Sequence, residues 1–220
     1  MSSIEGLAEL LQEGRIKERA RREELLGLLA SESGRLSRLI HNILDFGKIE
    51  QQTQAYRFER TEVAPLVEEA VDVMRPRMEQ AGFKLQTKFP RDAVFLDIDR
   101  DAVKQVLINL IDNAMKYSPE DKEIDIQVST GPGAVEVEVS DKGIGIGPEQ
   151  RESIFDKFYR APEAVRVNPK GVGIGLKIVK HVMDAHHGAI RVEGRAPRGS
   201  TFRLIFPKDK PHEQNPAHRG

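Results

Sequence analysis

The sequence predicts an α+β chain in two parts, a helical hairpin followed by a domain of mixed helices and strands. Three observations carry that prediction. Leu25, Leu29, Leu36, Leu39, Ile43 and Phe46 recur at the alternating three-and-four spacing of a helical seam. Ile124-Asp125-Ile126-Gln127-Val128 and Val135-Glu136-Val137-Glu138-Val139 alternate strictly, as half-buried strands with one solvated face do. Amphipathic runs over Asp101–Lys116 and Ile174–His186 supply helices to cover the apolar face of those strands.

The N-terminal part begins with Ile4, Leu7 and Leu11 at helix spacing, and a second helical run begins after Gly14. Leu26, Leu28, Ile40 and Ile49 widen the stripe beyond a strict seam, although Glu32 interrupts one seam position. Two antiparallel helices cannot bury so wide a stripe alone, so a second copy is expected to complete a four-helix bundle. The hairpin is placed at residues 1–52 and a polar, aperiodic linker at 53–60.

The second part is placed at residues 61–207. Thr61 is read as a helix N-cap, with Pro65 in the first turns, Pro76 as a kink and Gly82 as the stop. Leu85–Phe89 and Val94–Asp97 read as strands, and Gly131-Pro132-Gly133 as the turn of a hairpin. Ala189–Val192 and Thr201–Phe206 read as closing strands around the turn Gly194–Ser200. Residues 208–220 are polar and read as a disordered tail.

Composition narrows the function. The chain has 220 residues, with 34 Lys plus Arg against 35 Asp plus Glu, a net charge of −1. A nucleic-acid partner is not expected, because grip on phosphates calls for a basic excess. Cysteine is absent, which removes disulfides, thiol catalysis and cysteine-ligated zinc. No apolar run nears the roughly 20 residues of a membrane span, and no signal peptide is visible, so a cytoplasmic location is expected.

The chemistry lies in three glycine-bearing segments. Asp141-Lys142-Gly143-Ile144-Gly145-Ile146-Gly147 comes directly after a strand, Gly171-Val172-Gly173-Ile174-Gly175-Leu176 opens a helix, and Gly199-Ser200-Thr201 precedes the last strand. Neither of the first two fits the dinucleotide spacing, since Pro148 and Leu176 stand where its last glycine would, and no Walker string occurs. Glycines let backbone N–H groups approach a polyphosphate, and the start of a helix favours an anion. Asn109, Asn113 and Lys116 share one helical face, with Tyr117 next. Asn is a mediocre helix former, so two on one face call for a reason. A side-chain amide oxygen suits Mg²⁺, Lys suits phosphate and a Tyr ring stacks on a base.

These segments resemble the sensor histidine kinases of two-component signalling. Gln105–Ser118 is similar to their N box, Asp141–Gly147 to the G1 box, Ile154–Arg160 to the F box, Gly171–Leu176 to the G2 box and Gly199–Thr201 to the last glycine motif. The resemblance implies a Bergerat-type α/β sandwich, a mixed sheet with helices on one face, holding ATP under a lid over Asp156–Lys170. It assigns Mg²⁺ to Asn113, with Asn109 near the phosphates, Lys116 on phosphate and Tyr117 lining the adenine pocket. Asp141 would read the adenine amino group. Gly143, Gly145, Gly171, Gly173 and Gly175, with Leu176 and Thr201, would shape the pocket and hinges. Arg160 would reach the transferred phosphate. Partners implied are ATP, a response-regulator receiver domain and a second copy of the chain.

One departure concerns the phosphoacceptor. The family's Ser-His-Glu-Leu-Arg-Thr-Pro string is absent, and Ser2–Leu11 is similar to the part of the helix just after that box, as if the chain began too late. His41 precedes Asn42 instead of an acidic residue and is read as a bundle-surface histidine. His181, His186 and His187 lack a third metal ligand. The expectation is a chain that binds Mg-ATP but does not phosphorylate itself efficiently. Two rivals stand beside it: a related ATPase, for which Asp112 is the nearest acid, and a non-catalytic ATP-binding dimerisation module.

Overall fold

The computed structural model describes residues 21–30, 33–34, 47, 55–169 and 171–208. The chain divides into two units, residues 1–53 and 54–220. Within the first, residues 21–30 are helical and Leu25 is buried, while Leu26 and Leu28 are exposed. The rest of the seam, the first helix and the tail beyond Lys208 lie outside the described residues.

The second unit starts with β1 (Glu59–Glu62), α1 (Val63–Ala81), β2 (Lys84–Lys88), β3 (Phe95–Ile98) and α2 (Arg100–Tyr117). The hairpin β4 (Glu123–Thr130) and β5 (Ala134–Asp141) is next. Then come two 3-10 turns, a short helix α3 (Pro162–Val167), α4 (Gly175–Ala185), β6 (Ala189–Gly194) and β7 (Ser200–Pro207). The main sheet runs β2-β4-β5-β7-β6, with β2 parallel to β4 and every other pair antiparallel, so it is mixed. A separate ribbon pairs β1 with β3.

The alternation along β4 and β5 sorts residues as it should. Ile124, Ile126, Val128, Val135, Val137 and Val139 are buried, and Asp125, Gln127, Glu136 and Glu138 hold the other face. Helix α1 meets this core with Leu66, Val67, Ala70, Val71 and Met74, and α2 with Val106, Leu107, Leu110 and Ile111. Those spacings place one stripe of each helix inward. The helices therefore cover one face of the sheet, and the fold is the expected α+β sandwich.

Three local expectations are corrected. Thr61 is not an N-cap: it is a β1 residue whose hydroxyl donates to the Glu59 carbonyl at 3.2 Å, and the cap position is Glu62, with no side-chain bond. Glu59 and Arg60, read as linker, are strand, because pairing with Asp97 and Ile98 supplies what their polar pattern hid. Part of the expected lid loop is helical at α3, opened by Pro162 at its first position. The Gly82 stop holds. Its φ is 74°, and its N–H donates to the Glu79 carbonyl at 3.0 Å while Phe83 N–H donates to Met78 at 2.9 Å. A Cβ there meets nothing within 4 Å, so Gly82→Ala isolates the backbone penalty. It is expected to lower stability by about 1 kcal/mol, read as a shifted urea midpoint at constant slope.

Candidate functional site

The site forms where the end of α2 meets the end of β5. Helix α2 is capped by Asp99, whose carboxylate accepts from Ala102 N–H at 2.9 Å. Its last turn delivers Tyr117 and Ser118 to the loop after β5. Ile144 N–H donates to the Tyr117 carbonyl at 3.0 Å, and the Ser118 hydroxyl reaches Asp141 Oδ1 at 3.5 Å.

Asp141 is the last residue of β5 and is buried. Its Oδ1 accepts from Gly143 N–H at 2.8 Å and Ser200 N–H at 3.3 Å, besides Ser118. Burial raises the Asp141 carboxyl above its ordinary pKa, against the pull of those three donors. One oxygen is thus saturated by the protein, and the other is left to accept from a ligand.

The glycines pack around this carboxylate. A Cβ on Gly143 would lie 2.2 Å from the Tyr117 carbonyl oxygen and 2.8 Å from Asp141 Oδ1. A Cβ on Gly199, whose φ is 119°, would lie 2.0 Å from the Asp141 carbonyl oxygen. Gly145 faces Gly199 in turn. The first and third glycine segments are therefore back to back, with Asp141 between them.

The second glycine segment abuts residues 158–160. Gly173 has φ 77°, and a Cβ there would lie 2.9 Å from the Phe158 backbone. Phe158 N–H donates to the Gly173 carbonyl at 3.0 Å. Gly171 rests against the Arg160 guanidinium. Gly175 is the first residue of α4 and has open space around it, and Leu176 is half-buried. Ile178 makes the first bond of that helix, to Ile174 at 3.1 Å, so the amides ahead of it have no intrahelical acceptor. Both α3 and α4 pack on α2.

On α2 itself, Asn109 and Asn113 are half-buried, and Asn109 Nδ2 is a buried atom with no hydrogen-bond partner among the described residues. Amide ends can be exchanged by a flip, so one end of this side chain is left for a ligand in either orientation. As placed, this amide one turn from Asn113 offers an N–H₂ donor that suits a phosphate oxygen, and flipped it offers an oxygen that suits a hard cation.

Two expected residues are engaged elsewhere. Lys116 pairs with Asp112, which Arg77 of α1 also holds. Burial pulls the Asp112 carboxyl up, but the Lys116 and Arg77 charges outweigh it and leave its pKa below the ordinary value. Arg160 donates to four carbonyls, those of Pro169, Gly171, Ala164 and Asn168, and so closes the end of α3. Thr201 stands one residue beyond the contact with Asp141. It lies opposite Ser140 on the polar face, hydroxyl to hydroxyl at 2.8 Å, and Ser200 takes the place beside Asp141. Sequence reasoning missed Ser118 and Ser200. Strand alternation counted from buried Phe202 would have found Ser200.

Two segments of the chain match known families. Residues 98–210 match the family described as histidine kinase-, DNA gyrase B- and HSP90-like ATPase. Residues 1–52 match the His Kinase A (phospho-acceptor) domain. The chain is 30% identical to the sensor protein KdpD of Clostridium acetobutylicum over 95% of its own length and 23% of that protein's. It is 30% identical to the histidine-protein kinase ArlS of Staphylococcus haemolyticus over 92% of its length and 44% of the relative's. It thus spans less than half of either. The nucleotide-free catalytic domain of histidine kinase ThkA superposes with a TM-score of 0.62 at 28% identity, over 69% of this chain and 98% of that one. ThkA in complex with the response regulator TrrA shares the fold, with a TM-score of 0.67 at 22% identity over 94% of this chain and 57% of that one.

Proposed function

The chain belongs to the sensor histidine kinase family, and from that premise we propose that residues 54–208 bind Mg-ATP and transfer its γ-phosphoryl group to a histidine. The observation that carries this reading is the Asp141 carboxylate, buried between two glycine segments with one oxygen saturated and the other left to accept. An adenine amino group is the donor such an acceptor fits. The Tyr117 backbone adjoins the same loop, and its ring would wall the base. Asn113 would hold the Mg²⁺ that ATP brings, which spreads the charge of the phosphates, and Asn109 would lie near those phosphates. The phosphates themselves fall to the first-turn amides of α4 and to Lys116, once Lys116 leaves Asp112 to Arg77.

In the transfer, a bond forms from the acceptor imidazole nitrogen to the γ-phosphorus. The bond from that phosphorus to the β–γ bridging oxygen breaks, and ADP leaves. The imidazole proton passes to a base presented with the histidine. From the histidine the phosphoryl group would pass to a response-regulator aspartate. The N-terminal unit would pair with its copy to form the bundle that presents the acceptor.

In this reading the histidine that accepts the group is presented by a separate histidine domain and is not His41. The first histidine in the sequence is His41, and Asn42 beside it cannot serve as a base. With γ-labelled Mg-ATP, label is expected on a separately supplied histidine domain and not on the chain alone. Acid-labile label on the chain alone would overturn the external acceptor, and no label on either would overturn the kinase. The rival ATPase needs an acidic base beside the N box. Asp112 is the nearest, and Arg77 and Lys116 hold it as an ion-paired carboxylate. Steady phosphate release without an acceptor, abolished by Asp112→Asn, would favour that rival.

A further inference from the structure

Far from the glycine segments, Asp99 and His186 tie three parts of the catalytic unit together. Asp99 is bonded through both carboxylate oxygens and its amide. Oδ1 caps α2 through Ala102 N–H, Oδ2 accepts from Arg57 N–H at 2.7 Å, and its own N–H donates to His186 Nε2 at 2.9 Å. His186, at the end of α4, is 4% exposed. Because Nε2 accepts, Nδ1 carries the proton and donates to the Val182 carbonyl at 2.7 Å.

The residues that reach this pair are 55–58, which lie outside any helix or strand. Tyr56 and Phe58 stand edge-on to the His186 ring, at centroid distances of 5.5 and 5.0 Å, and Tyr56 also lies 6.2 Å from His181. Tyr56 and Phe58 are half-buried and Arg57 is exposed. A segment outside regular structure, whose contacts include the Arg57 amide and two half-buried rings, is of the kind that opens locally before the helices and strands do. In the chain it comes directly after the boundary between the two units. Freed and extended, four residues add roughly 13 Å of reach.

We propose that Asp99 and His186 form a latch that seats residues 55–58 and so sets the length of the tether between the two units. The proposal rests on the kinase reading, in that a catalytic unit needs reach to present its nucleotide to a histidine held elsewhere. Seated, the strap shortens the tether and restrains the unit. Released, it widens the volume the unit samples. The hydrogen bonds place this release at the far ends of α2 and α4, away from Asp141, so it changes presentation and not nucleotide affinity.

Two variants of the full chain test this. Asp99→Asn keeps an oxygen to cap α2 but turns an amide N–H₂ toward the Arg57 N–H, donor against donor. Tyr56→Ala with Phe58→Ala removes the rings and leaves Asp99 intact. The chain has no cysteine, so spin labels go on Leu28→Cys and Lys180→Cys without background. In both variants the interlabel distance distribution is expected to broaden and Arg57 amide exchange to rise at least tenfold. ATP affinity should stay within twofold, and transfer to a separately supplied histidine domain should rise severalfold. Unchanged width and exchange in both variants would overturn the latch. A broadened distribution with unchanged transfer would overturn its control of presentation. If the parent chain binds ATP yet never labels the histidine, the kinase reading fails, while width and exchange still decide the latch.

Discussion

Asp141→Asn is expected to weaken ATP binding about 100-fold while leaving the fold intact. The two results separate because the two carboxylate oxygens do different things. Oδ1 serves the protein, accepting from Gly143 and Ser200, and an asparagine oxygen does the same. Oδ2 serves the ligand, and its replacement by N–H₂ sets a donor against the adenine amino donor. Losing a hydrogen bond to a charged group costs about 1.5–3 kcal/mol, which at about 1.4 kcal/mol per decade reaches a factor near 100. Inosine triphosphate, with a carbonyl in place of the amino group, should lose far less, so the preference between the two nucleotides narrows or inverts. A merely structural aspartate would weaken both alike.

The pH dependence of the same residue comes from its burial. Asp141 has its carboxyl raised in the folded state, so folded protein binds that proton more tightly than unfolded protein does. Ionised Asp141 therefore opposes folding at neutral pH, and the opposition fades as pH falls through the raised value. Asp141→Asn should consequently not lower the melting temperature. ATP affinity of the parent chain should fall with acidification through a pKa raised above the ordinary aspartate value, and the variant should be flat there. Isothermal titration at several pH values, with ATP and inosine triphosphate, reads the affinities, and thermal melts read the stability.

How far the sequence alone reaches depends on where each residue's partner lies. Strands β4 and β5 and helix α2 are legible because their patterns are local: alternation for Ile124–Val128, helical spacing for Val106, Leu107 and Leu110. Asp141 and the three glycine segments are legible for the same reason, since glycine and aspartate at a strand end already state a close approach. Strand β1 is not, because Glu59 and Arg60 become strand only by pairing with residues near position 98. Thr61 resembles a cap as well as Asp99 does, and only tertiary pairing decides between them. Thr201 and Ser200 differ by one position, and a one-residue step on a strand reverses the face. The role of Arg160 depends on a helix of six residues that has no period to read.

Gly143→Ala is expected to be costly for a steric reason alone. Gly143 is not held in the left-handed region, so alanine meets no backbone penalty there and the whole effect is steric. Its Cβ would sit 2.2 Å from the Tyr117 carbonyl oxygen, which cannot swing aside because it accepts from Ile144 N–H at 3.0 Å. The same methyl would press within 2.8 Å of both Asp141 Oδ1 and the Ser118 hydroxyl. Overpacking of well-packed sites costs about 1–3 kcal/mol, and a rigid backbone obstacle places this case at the top of that range. At about 2–4 °C per kcal/mol for a domain of this size, the melting temperature should fall by roughly 6–12 °C. ATP binding should be lost at temperatures where the variant is still folded, because relief of the clash moves the loop off Asp141. Gly133→Ala is the comparison, since a Cβ there meets nothing within 4 Å, and it should leave both properties unchanged. A Gly143→Ala chain that melts with the parent and binds ATP would mean that α2 and the loop after β5 are not in close contact. The carboxylate would then have no fixed place beside Tyr117, and the pocket would lose the wall that makes it selective for a base.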